Sequence, residues 1–310
     1  MKDSKLEINP LLCDPETGIC KVPDIDTNDT ELKAFPNSPK VRIIYFTDPI
    51  CSSCWGIEAQ LRKLKLEYGD YVDVVYKMGG LLPDWKYNSG GISKPSDVAE
   101  HWDEVSTYYD MPIDGDLWLE DPLHSSYPPS IAFKAAQLQD NHKAILFMRA
   151  IREMVFLHKK NITQWEHLVT AAKNVGLDVN LLKTHYEEKA KILFEEDLQL
   201  AKEYGVRGFP TMFFINSSGQ KETVYGARPY SIFENALLKI EPEITKNDYD
   251  KNWRSLFTQY ESLTANEFSE LSETHRNESE HILNELVEKE LLEKFTTKNG
   301  AIWTIKNINS

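Results

Sequence analysis

The sequence predicts an α/β protein, and three observations carry that prediction. Val41-Arg42-Ile43-Ile44-Tyr45-Phe46 is a β-branched and aromatic run, continuous enough for a buried strand. Thr47-Asp48-Pro49 breaks it, and Trp55 to Leu66 then carries a helical stripe of Ile57, Leu61 and Leu64. Cys51-Ser52-Ser53-Cys54 stands at that junction. Far downstream, Gly208-Phe209-Pro210 leads into a second apolar strand, Met212 to Asn216.

Cys51 therefore falls at a helix N-terminus. Unpaired backbone N–H groups and the helix dipole stabilise a thiolate there. Cys54 lies one turn later, within reach of a mixed disulfide on Cys51. Alone, C-x-x-C also suits half a zinc site or two buried thiols. Pro210 shifts the reading. A proline cannot donate to a ladder, so it belongs at the start of a strand. Thioredoxin-like folds set such a proline in cis beside the dithiol. Strand, CxxC, helix, then Gly-Phe-Pro and strand together predict a redox-type thioredoxin fold.

Cys51-Ser52-Ser53-Cys54-Trp55-Gly56-Ile57-Glu58 resembles the C-x-x-C-aromatic-x-x-E signature of the DsbA family of dithiol-disulfide oxidoreductases. The long gap from Cys54 to Pro210 is similar to the layout of that family, in which a helical domain interrupts the thioredoxin fold. Within that family the chain is similar to the cytoplasmic, FrnE-like branch, and it resembles the SpxH-like branch more closely still. Phe46 to Cys51, Ala132 to Gln139, Lys159 to Thr163 and Gly300 to Trp303 extend the resemblance over most of the chain to the SpxH-like (YjbH) branch. Its members are DsbA-like adaptors that deliver the regulator Spx to the protease ClpXP.

The site expected from these residues has Cys51 as nucleophile and Cys54 as resolving thiol. Ser52 and Ser53 offer hydroxyls to the thiolate. Phe209, before Pro210, presents a backbone edge to an extended substrate. Glu58 has two readings: a carboxylate that takes the proton of Cys54, as its family position implies, or a surface helix glutamate. Cys13 and Cys20 flank an Asp14-Pro15 turn with Gly18. They read as free or transiently oxidised thiols, a local disulfide, or a zinc half-site, and form a possible secondary redox pair. The eight histidines lack metal-ligand spacing, and neither phosphate-binding glycine motif occurs. The expectation is no metal and no cofactor.

The domain plan follows the chain. Residues 1–39 form a proline-rich extended arm. Residues 40–94 hold the first thioredoxin half, with a strand at Val72 to Met78. Residues 95–204 are the helical insertion. Ser96 and Ser130 are expected to cap helices there, and Thr163-x-x-Glu166 reads as a capping box. Leu181 to Tyr204 is one helix or two. Residues 205–241 close the thioredoxin fold, with a helix from Tyr230 to Ile240. A polar linker, 242–249, precedes a small domain at 250–310. Its three helices, with Thr264-x-x-Glu267 as a second capping box, and an Asn299-Gly300 hairpin give a winged-helix-like order.

Lys and Arg number 35 against 49 Asp and Glu, a formal charge of −14. That balance argues against nonspecific nucleic-acid and acidic-membrane binding and is compatible with a basic protein partner. Residues 250–306 carry 7 Lys/Arg and 11 Asp/Glu, a net of −4. This removes DNA as the obvious ligand of the last domain. No apolar run approaches the ~20 residues that span a bilayer. Met1 to Pro10 lacks the apolar core of a secretory signal, so a cytoplasmic location is expected. Two functions follow: a thiol-disulfide oxidoreductase or isomerase acting on protein or small-molecule disulfides, placed first, and a redox-sensitive adaptor presenting a client to ClpXP. The intact cysteine pair counts against a kappa-type glutathione transferase.

Overall fold

A computed structural model describes residues 13–14, 18–21, 40–85 and 94–306, without the side chains of Cys13 and Lys21. The rest of the expected N-terminal arm lies outside the described residues. What remains of it is a hairpin of β1 (Cys13–Asp14) and β2 (Ile19–Lys21). Next come β3 (Val41–Thr47), α1 (Ser52–Gly56), α2 (Glu58–Tyr68) and β4 (Val72–Met78). The helix expected after the cysteines is thus two helices, broken where Ile57 adopts φ −105°, ψ 11°.

The insertion is helical throughout: α3 (Ser96–Tyr109), α4 (Leu117–Glu120), α5 (Tyr127–Gln137), α6 (Asn141–Phe156), α7 (Trp165–Asn174), α8 (Val179–Glu188) and α9 (Ala190–Glu203). The region from Leu181 to Tyr204 resolves as the last two. Three expected caps differ. No side-chain cap closes α3, whose N-cap is Pro95. Helix α5 starts before Ser130, since Pro128 and Pro129 fit its first turn, where no N–H is needed. The Thr163 hydroxyl donates instead to Asn161 Oδ1 at 2.6 Å, and α7 starts two residues later, without a capping box.

The chain returns through β5 (Gly208–Phe209), β6 (Thr211–Asn216), β7 (Lys221–Tyr225) and α10 (Tyr230–Ile240). The central sheet has the order β4-β3-β6-β7, with β3 parallel to β4 and the other pairs antiparallel. Strand β3 is apolar on both sides because both faces are covered. Val41, Ile43 and Tyr45 pack with Ile57 at the break between α1 and α2, with Leu61 and Leu64 of α2, and with Phe233 and Leu237 of α10. Ile44 and Phe46 belong to the second core, with Phe133, Phe147 and Phe156 of the insertion. Buried Asp197 of α9 ties that insertion to the sheet. It binds Lys77 and Lys134, each at 2.8 Å, and accepts from the Met78 N–H. This is a thioredoxin fold with a DsbA-like helical insertion.

The last module comprises α11 (Trp253–Gln259), β8 (Ser262–Thr264), α12 (Ala265–Ser272), α13 (Arg276–Glu288), β9 (Leu292–Thr297) and β10 (Gly300–Ile305). Its three strands run in the order β8-β10-β9. The Thr264–Glu267 capping box forms as expected. The module has its own core around Phe257, Phe268, Leu283 and Trp303. It also docks closely on the body. Glu267 is buried beneath Arg149 and Arg62, Arg276 pairs with Asp110, and Lys298 with Asp103 and Asp116. Among the described residues, no helix is long and apolar enough to cross a membrane.

Candidate redox site

Cys51 is the N-cap of α1, and the Cys54 N–H donates to its sulfur at 3.1 Å. The expected helix N-terminal environment is therefore present. Cys51 and Cys54 are joined as a disulfide. Ser52 and Ser53 between them are buried. The Ser53 hydroxyl meets the Tyr109 hydroxyl at 2.7 Å. Burial pushes Tyr109 up to about 12, while the Ser53 contact works the other way. Tyr109 thus keeps its proton at neutral pH.

The loop before Cys51 is fixed by Asp48, which carries no motif. Its carboxylate accepts from the Ile50 N–H at 3.1 Å, the Leu81 N–H at 2.8 Å and the Ser126 hydroxyl at 2.8 Å. Desolvation lifts it to about 6, against three hydrogen bonds and Arg152 that pull it down. Asp48 therefore staples the cysteine loop to the segment after β4 and to the N-terminus of α5 in the insertion.

Glu58 is held by two arginines that no spacing signals. Its carboxylate binds Arg152 at 2.5 Å and Arg149 at 3.6 Å. Fully buried Arg152 also donates to Thr47 Oγ1 at 2.6 Å and to the Asp48 carbonyl at 3.2 Å. Glu58 thus acts on the cysteine loop through a guanidinium. Arg149 lies 4.4 Å over the ring of Trp55, the residue after Cys54. Trp55 in turn donates to the Pro112 carbonyl at 3.1 Å and stacks on Phe156.

The Phe209–Pro210 peptide is cis. The edge at Phe209, expected to receive a substrate segment, is occupied by this chain. Strand β2 pairs antiparallel with β5, Cys20 facing Phe209 and Lys21 facing Gly208. Cys20 is disulfide-bonded, which displaces the free-thiol reading for that residue. Its ladder partner in β1 is Cys13. The sulfur of Cys20 lies 3.4 Å from that of Cys51 and 3.3 Å from the Ser53 hydroxyl. Cys20, Cys51, Cys54 and Phe209 are all 0% exposed. The structure brings together Cys51, Cys54, Ser52, Ser53, Phe209, Pro210 and Cys20, and seals them. Asp48, Arg149 and Arg152 have no spacing signal. Only the burial expected of a loop between a core strand and a core helix points to Asp48.

A family model described as thioredoxin matches residues 45–235. The chain is 35% identical to the ClpXP adapter protein SpxH of Halalkalibacterium halodurans, covering 95% of this chain and 97% of the relative. It is 30% identical to the SpxH of Shouchella clausii, covering 94% and 95% respectively. Among solved structures, a protein described as a putative protein disulfide isomerase from Nitrosomonas europaea superposes with a TM-score of 0.54 at 21% identity, covering 65% of this chain and 95% of that one. The cytosolic disulfide reductase DsbM of Pseudomonas aeruginosa does so with 0.52 at 20%, covering 64% and 99%. At such identities these structures speak for the fold.

Proposed function

Because this chain belongs to the SpxH family of thioredoxin-fold adapter proteins, we propose that it presents a client protein to a ClpXP-type protease and keeps a thiol–disulfide centre as a second capability. The observation that carries this order is the sealing of the dithiol. A general oxidoreductase needs its attacking sulfur and its substrate edge open. Here Cys51 is 0% exposed and the Phe209 edge is filled. The similarity to the adapter of Halalkalibacterium halodurans covers 95% of this chain, a span that must include most of the C-terminal module. This reverses the order expected from the sequence.

In this reading the C-terminal module, winged-helix-like in its element order, is a protein-contact surface. The acidic balance of the chain steers a basic client to it. A cytoplasmic setting belongs to the same proposal. When the seal opens, Cys51 is the nucleophile and Cys54 the resolving thiol. Phe209 and Pro210 form the docking edge, and Ser52 and Ser53 line it. Glu58 is assigned the anchoring of α2 to the cysteine loop through Arg152.

The test is a pull-down paired with a degradation assay. The Cys51→Ser, Cys54→Ser double variant should retain the client and still accelerate its proteolysis by ClpXP. Loss of every partner in that variant rejects the adaptor role. Trapping with Cys54→Ser addresses exchange separately, since an external substrate would remain joined to Cys51.

A further inference from the structure

We propose that the β1–β2 hairpin is a tethered substrate of the dithiol, with Cys20 a third redox-active cysteine that exchanges with Cys51. The hairpin sits where an extended substrate would sit. It adds an antiparallel strand to β5, immediately before Pro210, and places a disulfide sulfur against the N-cap sulfur of α1. A separation of 3.4 Å between those sulfurs is close to contact, the distance from which attack starts.

The seating is built from both sides. Gly18 turns the hairpin at φ 67°, and its N–H donates to the Asp14 carbonyl at 2.7 Å. Its own carbonyl accepts from the Ala227 N–H at 2.7 Å, which ties the turn to the segment after β7. A Cβ on Gly18 would come within 2.7 Å of the Ala227 backbone. On the other side, a Cβ on Gly208 would come within 2.5 Å of the Cys20 carbonyl oxygen. Both glycines admit a backbone approach that any larger residue would obstruct.

The exchange starts from reduced Cys51 and Cys54 and the oxidised hairpin. The Cys51 thiolate attacks Sγ of Cys20. A Cys51–Cys20 bond forms, and the bond from Cys20 to its partner breaks. That partner leaves as a thiolate and takes up the proton given up by Cys51. Cys54, losing its proton, then attacks Sγ of Cys51. The Cys51–Cys54 bond forms and Cys20 leaves, taking that proton. The hairpin gains two electrons and the CxxC pair loses two, with no outside oxidant or reductant. In reverse, an oxidised CxxC pair oxidises the hairpin. The exchange concerns only this chain, so it stands whether or not the protein serves a protease.

The experiment follows oxidation of the fully reduced, full-length protein by limiting diamide, with acid quenching and mapping of disulfide-linked peptides. In wild type the Cys51–Cys54 disulfide should appear first, then decline as the Cys20 disulfide appears. In Cys51→Ser the Cys20 disulfide should form at least roughly 100-fold more slowly, the scale of gain from holding reacting groups together. Equal rates of hairpin oxidation in wild type and Cys51→Ser overturn the proposal. A second variant, Cys13→Ser with Cys54→Ser, leaves Cys20 and Cys51 as the remaining cysteines. It should give an intramolecular Cys20–Cys51 disulfide when folded, and lose that rate advantage in denaturant. A rate unchanged by denaturant also overturns it. Client capture by the same variants reports on the adaptor role separately, so one can fail while the other holds.

Discussion

Arg149 grips Glu267 with two hydrogen bonds, 2.7 Å from Nη1 and 3.0 Å from Nη2, across the boundary between the helical insertion and the C-terminal module. Arg62 of α2 joins the same carboxylate at 3.1 Å. Glu267 also caps its own helix by accepting the Thr264 N–H at 2.8 Å. One side chain therefore starts α12 and fastens it to the body. Arg149 also lies over Trp55, a residue of α1 next to Cys54, so the fastening touches the redox helix itself.

Glu267→Gln keeps the shape and removes the charge. Arg149 and Arg62 would then face a neutral group at a fully buried position. Breaking a buried pair in this way costs about 3–5 kcal/mol. The midpoint of urea unfolding should fall accordingly, with the amides of α12 losing hydrogen-exchange protection first. An unchanged midpoint would show that the network contributes nothing. For the same reason, truncation at residue 250 should lower the stability of the body, although the module has a core of its own.

Two buried carboxylates should give opposite pH dependences. Desolvation pushes Glu267 up, but Arg149 and Arg62 outweigh it and leave it below its ordinary value. Its stabilisation is present above the usual carboxylate range and is lost as pH falls through the depressed folded value. Asp48 is raised from 3.8 to about 6. Stability linked to its proton is full below pH 3.8 and is lost as pH rises through about 6, by about 3 kcal/mol. Asp48→Asn should flatten the stability profile between those limits. It should also cost about 1 kcal/mol, because the amide nitrogen cannot accept all three donors. A wild-type slope that survives the substitution would assign the titration elsewhere.

Strands at Val41 and Val72 and the helix Tyr230–Ile240 are legible because neighbours in sequence set their periodicity. The same holds for Cys51 as an N-cap, since strand, proline break and helix stripe are all local. The Thr264 box could be read and formed. The Thr163 box could be read equally well and did not form, because Asn161 took the hydroxyl. Glu58 was placed on the expected helix, but its partner is Arg152, whose position depends on how α6 packs. The pairing of Cys20 with Phe209 joins segments far apart in the chain, and no periodicity encodes it. Charge on the last domain is informative about ligands and silent about docking: Glu267, one of its 11 acidic residues and read as a capping-box residue, is also buried in a bridge.

The seal over Cys51 gives the last prediction. Cys51, as the α1 N-cap, should have the lower thiol pKa of the pair and be alkylated before Cys54 in reduced protein. The rate should nevertheless depend on the hairpin, because Cys51 is fully buried beneath it. Gly208→Ala places a Cβ against the Cys20 carbonyl, so the hairpin must shift. Weakening its docking by about 1.4 kcal/mol corresponds to roughly tenfold more open protein. A bulky maleimide should then label Cys51 roughly tenfold faster, while a small alkylating agent gains less. Gly18→Val, which crowds Ala227 at a positive φ, should act in the same direction from the other end of the hairpin. Equal labelling rates in wild type and both variants would mean that the hairpin does not control access. Faster labelling of Cys54 than of Cys51 would reverse the assignment of nucleophile and resolving thiol.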